Sequence, residues 1–301
     1  MDIRYDGRVA IVTGAGTGLG RSHALFLAAR GAKVVVNDLG GAVDGRGGSA
    51  KAADTVVAEI KAAGGEAVAN YDSVDQPDSA AAIIATAIDQ YGTIDILINN
   101  AGILRDKTFA KVTMEDFEAV MRVHLMGSVY CTHAAWPVMA ENGYGRVVLT
   151  TSAAGLYGNF GQTNYAAAKL ALVGFMNALK LEGQKNNVLV NTIAPIAKTR
   201  MTESLMPDDF SKHLDPELVT PAVAWLVAEE CQRTGDIISA GAGYYALVKV
   251  EEAKGVALGD GEPVTPEMIR DNYDAIADMS AATPFLHAND LLAKVGKLLD
   301  I

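Results

Sequence analysis

The stretch Val9-Ala-Ile-Val-Thr-Gly-Ala-Gly-Thr-Gly-Leu-Gly20 joins a short apolar run to a glycine-rich turn. The run predicts a buried strand, and the residues from Arg21 to Arg30 have the spacing of a helix that Gly31 ends. In this setting glycines let the backbone approach a pyrophosphate, and the helix N-terminus offers it unpaired N–H groups. The stretch therefore predicts a dinucleotide site, whereas a tight packing turn is the alternative. The residues expected to hold the cofactor here are Gly14, Thr17, Gly18, Leu19 and Gly20.

Six further apolar, β-branched runs alternate with alanine-rich segments of helical spacing along the chain. Nearly continuous hydrophobic runs separated by helices are typical of a parallel sheet that is covered on both faces. We therefore expect an α/β fold with a Rossmann-like, doubly wound, seven-stranded parallel sheet. The six runs are 33–37, 67–71, 94–99, 146–150, 188–193 and 236–239.

The domain organisation follows from where the strands end. Residues 1–243 are expected to form the dinucleotide-binding and catalytic domain. Residues 244–301 contain helical segments from Pro266 and over 291–299, and we expect a helical tail packed on the same domain or on a partner subunit.

Composition narrows the possible functions. The chain has 301 residues and a net charge of −11, which argues against a nucleic-acid or anionic-membrane binder because both need a positive field. No signal peptide and no run of 18 apolar residues is present, so a cytoplasmic protein is expected. Cys131 and Cys231 lie far apart without metal-ligand spacing, so we expect neither a disulfide nor a metal site.

The cofactor type is indicated by acidic residues at the ends of the second and third strands. Asp38 follows Gly20 by 18 residues, where a carboxylate accepts hydrogen bonds from the adenosine ribose. NAD is therefore expected, since an NADP site needs a basic residue there; capping of the next loop is the alternative role of Asp38. Asp72 and Ser73 end the third strand and are expected near the adenine.

A possible catalytic group lies between residues 151 and 169. Tyr165 and Lys169 are four residues apart in a predicted helix, which puts both side chains on one face. An ammonium nearby lowers the pKa of a phenol, which is otherwise near 10, and so prepares Tyr165 to act as a base. Ser152 follows the fifth strand, where its hydroxyl could hold a substrate oxygen. A Tyr-x-x-x-Lys pair also arises by chance on solvent-facing helices.

These motifs together resemble the short-chain dehydrogenase/reductase family. The turn from Thr13 to Gly20, the Asn99-Asn-Ala-Gly102 motif and the Ser152, Tyr165, Lys169 set occur in the family's order over residues 7 to about 243. The resemblance implies that Tyr165 is the acid/base, that Lys169 binds the nicotinamide ribose, and that Ser152 orients the substrate oxygen.

The same resemblance implies further cofactor contacts. The adenine side of the cofactor is expected to contact Asn99, Ala101 and Gly102. Pro195, at the end of the sixth strand, is also expected to contact the cofactor. The loop Lys198–Thr202 is expected to contact the nicotinamide or the substrate.

A narrower resemblance is to the (3R)-hydroxyacyl-CoA dehydrogenase domains of the type 2 multifunctional enzymes, also called 17β-hydroxysteroid dehydrogenase type 4, and to their bacterial stand-alone relatives in steroid catabolism. It is carried by segments such as Val36-Asn-Asp-Leu-Gly-Gly41 and Tyr157-Gly-Asn-Phe-Gly-Gln162. It implies oxidation of an acyl-CoA or a steroid by a homodimer, with a tetramer as the alternative. The apolar Tyr157 and Phe160 are then expected in the pocket wall, or are surface residues.

One position departs from the common family pattern. His124 stands where many members have a fourth catalytic residue, an asparagine that holds a proton-relay water. An imidazole can also hold a water or pass a proton, so a catalytic role and a packing role are both open. An NADPH-dependent 3-oxoacyl reductase and a non-catalytic NAD-binding regulator remain the alternative functions.

Overall fold

The computed structural model describes residues 2–197, 214–259 and 261–299. The chain divides into two compact units, Met1–Leu247 and Val248–Ile301. The larger unit carries every strand predicted from the sequence. The expected boundary between 243 and 244 lies close to this division.

The central sheet has eight strands in the order β3-β2-β1-β4-β5-β6-β7-β8. Strands β1 to β7 pair in parallel, so the doubly wound, Rossmann-like prediction is confirmed. The strands are β1 (Val9–Thr13), β2 (Lys33–Asn37), β3 (Glu66–Asn70), β4 (Ile96–Asn99), β5 (Gly145–Thr150), β6 (Val188–Pro195), β7 (Ile237–Gly241) and β8 (Tyr244–Val248).

The expected count of seven strands was wrong by one, because β8 begins two residues after β7 and not after a helix, as β2 to β7 do. It follows β7 after Ala242 and Gly243, whose φ angles of 52° and 78° fit a tight hairpin turn. Tyr244 and Tyr245 on this edge strand are exposed. A search for apolar runs that alternate with helices therefore passes over it.

Helices cover both faces of the sheet. On one face, alternate residues of the strands, such as Ala10, Val12 and Val34, form one core with α1, α2 and α8. On the other face lie α3, α4, α5 and α7. The helices of the larger unit are α1 (Gly18–Ala29), α2 (Lys51–Ala62), α3 (Pro77–Tyr91), α4 (Met114–Met121), α5 (Gly127–Glu141), α6 (Ala153–Tyr157), α7 (Thr163–Gly183) and α8 (Thr220–Leu226).

Helices α4 and α5 are joined without a break by a π-helical turn, Arg122–Met126. Such a turn adds a residue to the helical ladder and often lies at functional sites. It carries His124, so the candidate relay residue lies on a local irregularity that the sequence pattern did not reveal.

The smaller unit contains short helices and a two-stranded sheet, which agrees with the predicted helical tail. Strands β9 (Glu251–Glu252) and β10 (Thr283–Pro284) pair antiparallel. The helices are α9 (Pro266–Asp271), α10 (Tyr273–Ile276) and α11 (Ala288–Leu298). Among the residues with a described placement, no helix is long and apolar enough to span a bilayer.

Candidate active site

The carboxyl ends of β1, β2, β4, β5 and β6 surround a cavity of about 540 Å³. This volume lies within the roughly 300–1,000 Å³ that is usual for small-molecule sites. Most residues predicted for the site line this cavity, although they come from distant parts of the sequence. They are Gly14, Thr17, Gly18, Leu19, Asp38, Asp72, Ser73, Ala101, Gly102, His124, Ser152, Tyr165, Lys169 and Pro195.

Gly20 and Asn99 lie behind the cavity wall and support it. A Cβ atom on Gly20 would come within 2.3 Å of the Gly14 carbonyl oxygen, so the close packing of the turn requires glycine here. Asn99 is buried, and its Nδ2 donates to the Thr132 hydroxyl at 3.1 Å. Both residues thus shape the site from outside the cavity.

The glycine turn is fixed to the end of β4 by Asn100 and Thr13. Asn100 Nδ2 donates to the carbonyl oxygens of Thr13, at 2.9 Å, and of Gly14, at 3.0 Å. The Thr13 hydroxyl in turn accepts from the backbone N–H groups of Asn100 and Ala101. Sequence reasoning treated Asn100 only as part of a motif, whereas the structure gives it this positioning role.

Asp38 lies at the cavity and has the loop-capping role that the sequence allowed as an alternative. Its Oδ2 accepts from the Gly16 N–H and its Oδ1 from the Gly40 N–H, each at 2.7 Å. The carboxylate is thereby held at the cavity and also caps the following loop. Each oxygen keeps a further lone pair, so ribose hydroxyls can still bind.

Asp72 and Ser73 lie farther along the same wall and are held by neighbouring polar groups. Asp72 Oδ2 accepts from Asn70 Nδ2 at 2.8 Å. Ser73 Oγ donates to Asp75 Oδ1 at 2.7 Å.

Lys169 is almost completely buried beside Tyr165, at the part of the cavity near the end of β5. Its Nζ donates to the Thr150 carbonyl at 2.5 Å and lies 5.5 Å from the centre of the Tyr165 ring. Burial lowers the pKa of Lys169 to about 7. Near neutral pH, Lys169 is therefore close to half protonated.

Tyr165 differs from the sequence expectation in one respect. Burial raises the pKa of its phenol, and the group that acts to lower it is Ser152 rather than Lys169. The physical reason is that Lys169 is itself desolvated and directed at the Thr150 carbonyl. Ser152 also caps α6, because its Oγ accepts from the Ala154 N–H at 3.2 Å.

His124 contacts Tyr165 directly. Its imidazole packs edge-on against the Tyr165 ring, with 5.1 Å between ring centres. Burial, followed by the charge of Lys169, lowers the pKa of His124 well below its usual value, so the ring is neutral. Its Nε2 lies 2.8 Å from the Ile103 carbonyl oxygen, whereas Nδ1 has no hydrogen-bond partner among the described residues.

Sequence reasoning missed two parts of the cavity wall. The loop after β2 contributes residues such as Val43 and Gly45, and helix α4 with the π turn contributes Glu115, Ala119 and Arg122 on one face. The spacing of these three residues was a signal that could have been read from the sequence.

Two groups of expected contacts do not lie in the cavity as described. Tyr157 and Phe160 are 72% and 88% exposed and do not line it, so the surface interpretation is the one that the structure supports. The loop Lys198–Thr202 lies outside the described residues. In the part of the chain that can be described, no group of three His, Cys, Asp or Glu side chains could hold a metal ion.

Comparisons with known proteins agree with this arrangement. Residues 8–209 match the family model for short chain dehydrogenases. The chain is 50% identical over 282 residues to the mouse peroxisomal multifunctional enzyme type 2, covering 93% of this chain but 38% of that protein. It is also 50% identical over 275 residues to a short-chain type dehydrogenase/reductase of Mycobacterium tuberculosis, covering 91% and 96% of the two chains.

A solved structure resembles the fold as well. It is 7α-hydroxysteroid dehydrogenase complexed with NADH and 7-oxo glycochenodeoxycholic acid, with a TM-score of 0.72 and 30% identity. The match covers 80% of this chain and 95% of that one. Motifs, fold and comparisons agree, and the chain belongs to the short-chain dehydrogenase family.

Proposed function

We propose that the chain is an NAD-dependent dehydrogenase that oxidises a secondary alcohol. The substrate we propose is a (3R)-3-hydroxyacyl-CoA, including steroid side-chain CoA thioesters, or a 17β-hydroxysteroid. The observation that carries the proposal is that Ser152, Tyr165 and Lys169 line the same cavity as the glycine turn and Asp38.

The residues at the cavity fit a dinucleotide. The turn Gly14–Leu19 presents backbone and the N-terminus of α1, which suit a pyrophosphate, and Asp38 presents a carboxylate to ribose hydroxyls. The fixed negative charge of Asp38 disfavours the 2′-phosphate of NADP, which argues against the NADPH-dependent reductase. Bound NAD would supply the hydride acceptor for the reaction.

The remaining steps of the proposed reaction are proton transfer and binding of the substrate oxygen, and different residues carry them out. Tyr165 takes the hydroxyl proton of the alcohol, and Ser152 holds the same oxygen by a hydrogen bond. The hydrogen bond from Ser152 favours the phenolate of Tyr165. When Lys169 is protonated, its charge 5.5 Å from the ring centre acts in the same direction. His124, which lines the cavity and packs against the Tyr165 ring, is proposed to pass the proton onward.

The substrate and the assembly rest on the resemblance to the multifunctional enzymes. The chain spans 38% of the mouse relative, so the further activities of that protein are not transferred. A homodimer is proposed on the same basis, whereas a cytoplasmic location is proposed from the resemblance to bacterial stand-alone relatives. A non-catalytic regulator has no chemical need for Ser152, Tyr165 and Lys169 together.

Tyr165→Phe should retain NAD binding but reduce kcat at least about a thousandfold, because it removes the acid/base hydroxyl. Turnover is measured as NADH absorbance, and NAD binding by calorimetry. Tyr157→Phe makes the same chemical change on an exposed tyrosine outside the cavity and should behave like the parent. A Tyr165→Phe variant with turnover within tenfold of the parent would contradict the mechanism.

Asp38→Ala should narrow the preference for NAD over NADP about tenfold or more, since it removes both the ribose acceptor and the charge that repels a 2′-phosphate. The ratio of kcat/KM with the two cofactors is the measurement. Asp44→Ala removes a carboxylate from the same loop that does not line the cavity, and it should leave the ratio unchanged. An unchanged ratio in Asp38→Ala would place cofactor selection elsewhere.

Lys169→Met should stabilise the protein at neutral and mildly acidic pH while abolishing activity. Unfolded Lys169 keeps its proton to about pH 10.5 and the folded residue to about 7, so unfolding takes up a proton between these values. Burying the protonated lysine therefore lowers the free energy of unfolding by about 5 kcal/mol below pH 7, and this effect declines as pH rises towards 10.5.

Urea unfolding of parent and variant at several pH values tests this expectation. The stability difference should shrink steadily from pH 7 to 10. A difference that is the same at every pH would show that Lys169 is not held in a low-pKa state.

A further inference from the structure

The connection from β2 to α2 is a compact loop that begins directly after Asp38. The ends of residues 39–49 are joined because the Ser49 N–H donates to the Leu39 carbonyl at 2.9 Å. Gly40 has a φ of 74°, and a Cβ atom there would overlap the Ser49 carbonyl oxygen. Glycine at this position therefore lets the 39–49 loop close on itself.

The far side of the 39–49 loop is hydrogen-bonded to residues 103–105, which follow β4. The Val43 carbonyl accepts from the Leu104 N–H at 2.9 Å. The Asp44 carbonyl accepts from Arg105 Nε at 3.0 Å. One backbone and one side-chain hydrogen bond thus dock the loop on this segment.

The docking contact is closely packed, and its Arg105 side is fixed in place. A Cβ atom added to Gly45 would lie 2.9 Å from Cγ2 of Ile103, so the loop and the segment have no space between them there. Arg105 Nη1 bonds to Asp116 Oδ1 at 3.2 Å, and the Arg105 carbonyl accepts from Asn164 Nδ2 at 3.1 Å. The loop therefore docks on a segment that other elements hold.

The docked loop bridges the carboxyl end of β1. Because β1 lies between β2 and β4, a loop that leaves β2 and docks after β4 spans about 10 Å of the sheet edge. Residues on both sides of the docking contact line the cavity, namely Val43, Gly45, Ile103 and Arg105. The adenosine half of a dinucleotide, which Asp38 is proposed to bind, belongs to this part of the cavity.

Resting on the cofactor of the proposed function, we propose that the 39–49 loop is a clamp over the adenosine half of the dinucleotide, and that Arg105 is the positioning residue that keeps it docked. A dinucleotide covered in this way leaves after the loop has moved off residues 103–105. The strength of the docking contact then sets the rate at which the dinucleotide is released.

Arg105→Met removes the Nε donor to the Asp44 carbonyl. The NADH release rate and the KM for NAD should rise about fivefold, while kcat at saturating NAD does not fall. Release is measured as the loss of NADH fluorescence after the complex is mixed with excess NAD. Lys107→Met also breaks an ion pair with Asp116 but lies outside the cavity and the docking contact, so it should release NADH at the parent rate.

A second pair of variants changes the same contact from the loop side. Gly45→Ala places a methyl group against Ile103 and should also accelerate NADH release about fivefold. Gly47→Ala carries a similar backbone penalty, because the two glycines have φ angles of 83° and 74°, but its Cβ atom meets nothing within 4 Å. It should release NADH at close to the parent rate.

Trypsin cleavage after Arg46 measures docking without turnover. The Arg46 side chain is 80% exposed on the loop, and cleavage requires the backbone around it to open. Without cofactor, Arg105→Met should be cleaved here about fivefold faster than the parent. Saturating NADH should slow the cleavage of the parent, seen by mass spectrometry as less of the fragment that begins at Gly47.

Faster release and faster cleavage in Arg105→Met and Gly45→Ala, but in neither control, would support the clamp even if no alcohol is oxidised, and the proposed function would then fail alone. Parent release rates in both variants, or cleavage that NADH does not slow, would overturn the clamp even if alcohol oxidation continues. A parent that binds no NADH would overturn both.

Discussion

The parallel pairing of β1 with β4 and of β4 with β5 is the constraint on which the rest of the site depends. Because parallel strands end at the same edge, this pairing brings together the glycine turn, the Asn100–Gly102 segment and Ser152. The hydrogen bonds between Thr13 and Asn100 then fix the first two to each other. Helix α7 adds Tyr165 and Lys169, and the Thr151 hydroxyl, which donates to the Lys169 carbonyl at 2.7 Å, ties that helix to the end of β5.

The end of the cavity beside Tyr165 holds buried ionisable groups, and burying such groups lowers the free energy of unfolding. It holds a buried lysine whose pKa is lowered to about 7, a neutral buried histidine, and a tyrosine whose pKa is raised. Burial is the largest cause in each case, and such groups are expensive unless they are paired. Perturbed groups that converge on one cavity are characteristic of catalytic sites, and here their cost is offset by a large, closely packed sheet core.

Much of the architecture could be predicted from the sequence because its signals are local. The continuous run Val9–Thr13 and the glycines after it are enough to indicate strand, turn and helix. Strand β8 was missed because it follows β7 through a two-residue turn and not through a helix. The π turn at His124 was missed because it interrupts no hydrophobic pattern.

Site chemistry was less predictable than site location. Tyr165 and Lys169 share a helical face as expected, but desolvation and the direction of the Lys169 ammonium depend on tertiary packing. The hydrogen bond between Gln162 and Asp106, which are 56 residues apart in sequence, likewise depends on tertiary packing. Long-range contacts of this kind carry no periodic signal in a single sequence.

The most direct test of the central claim is the formation of NADH from NAD and each enantiomer of a 3-hydroxyacyl-CoA, followed by absorbance, with a 17β-hydroxysteroid and NADP run in parallel. The proposed function requires NADH formation with the (3R) enantiomer or the 17β-hydroxysteroid, and much slower reduction of NADP. Absence of turnover with both of these alcohols, or a preference for NADP, would contradict it.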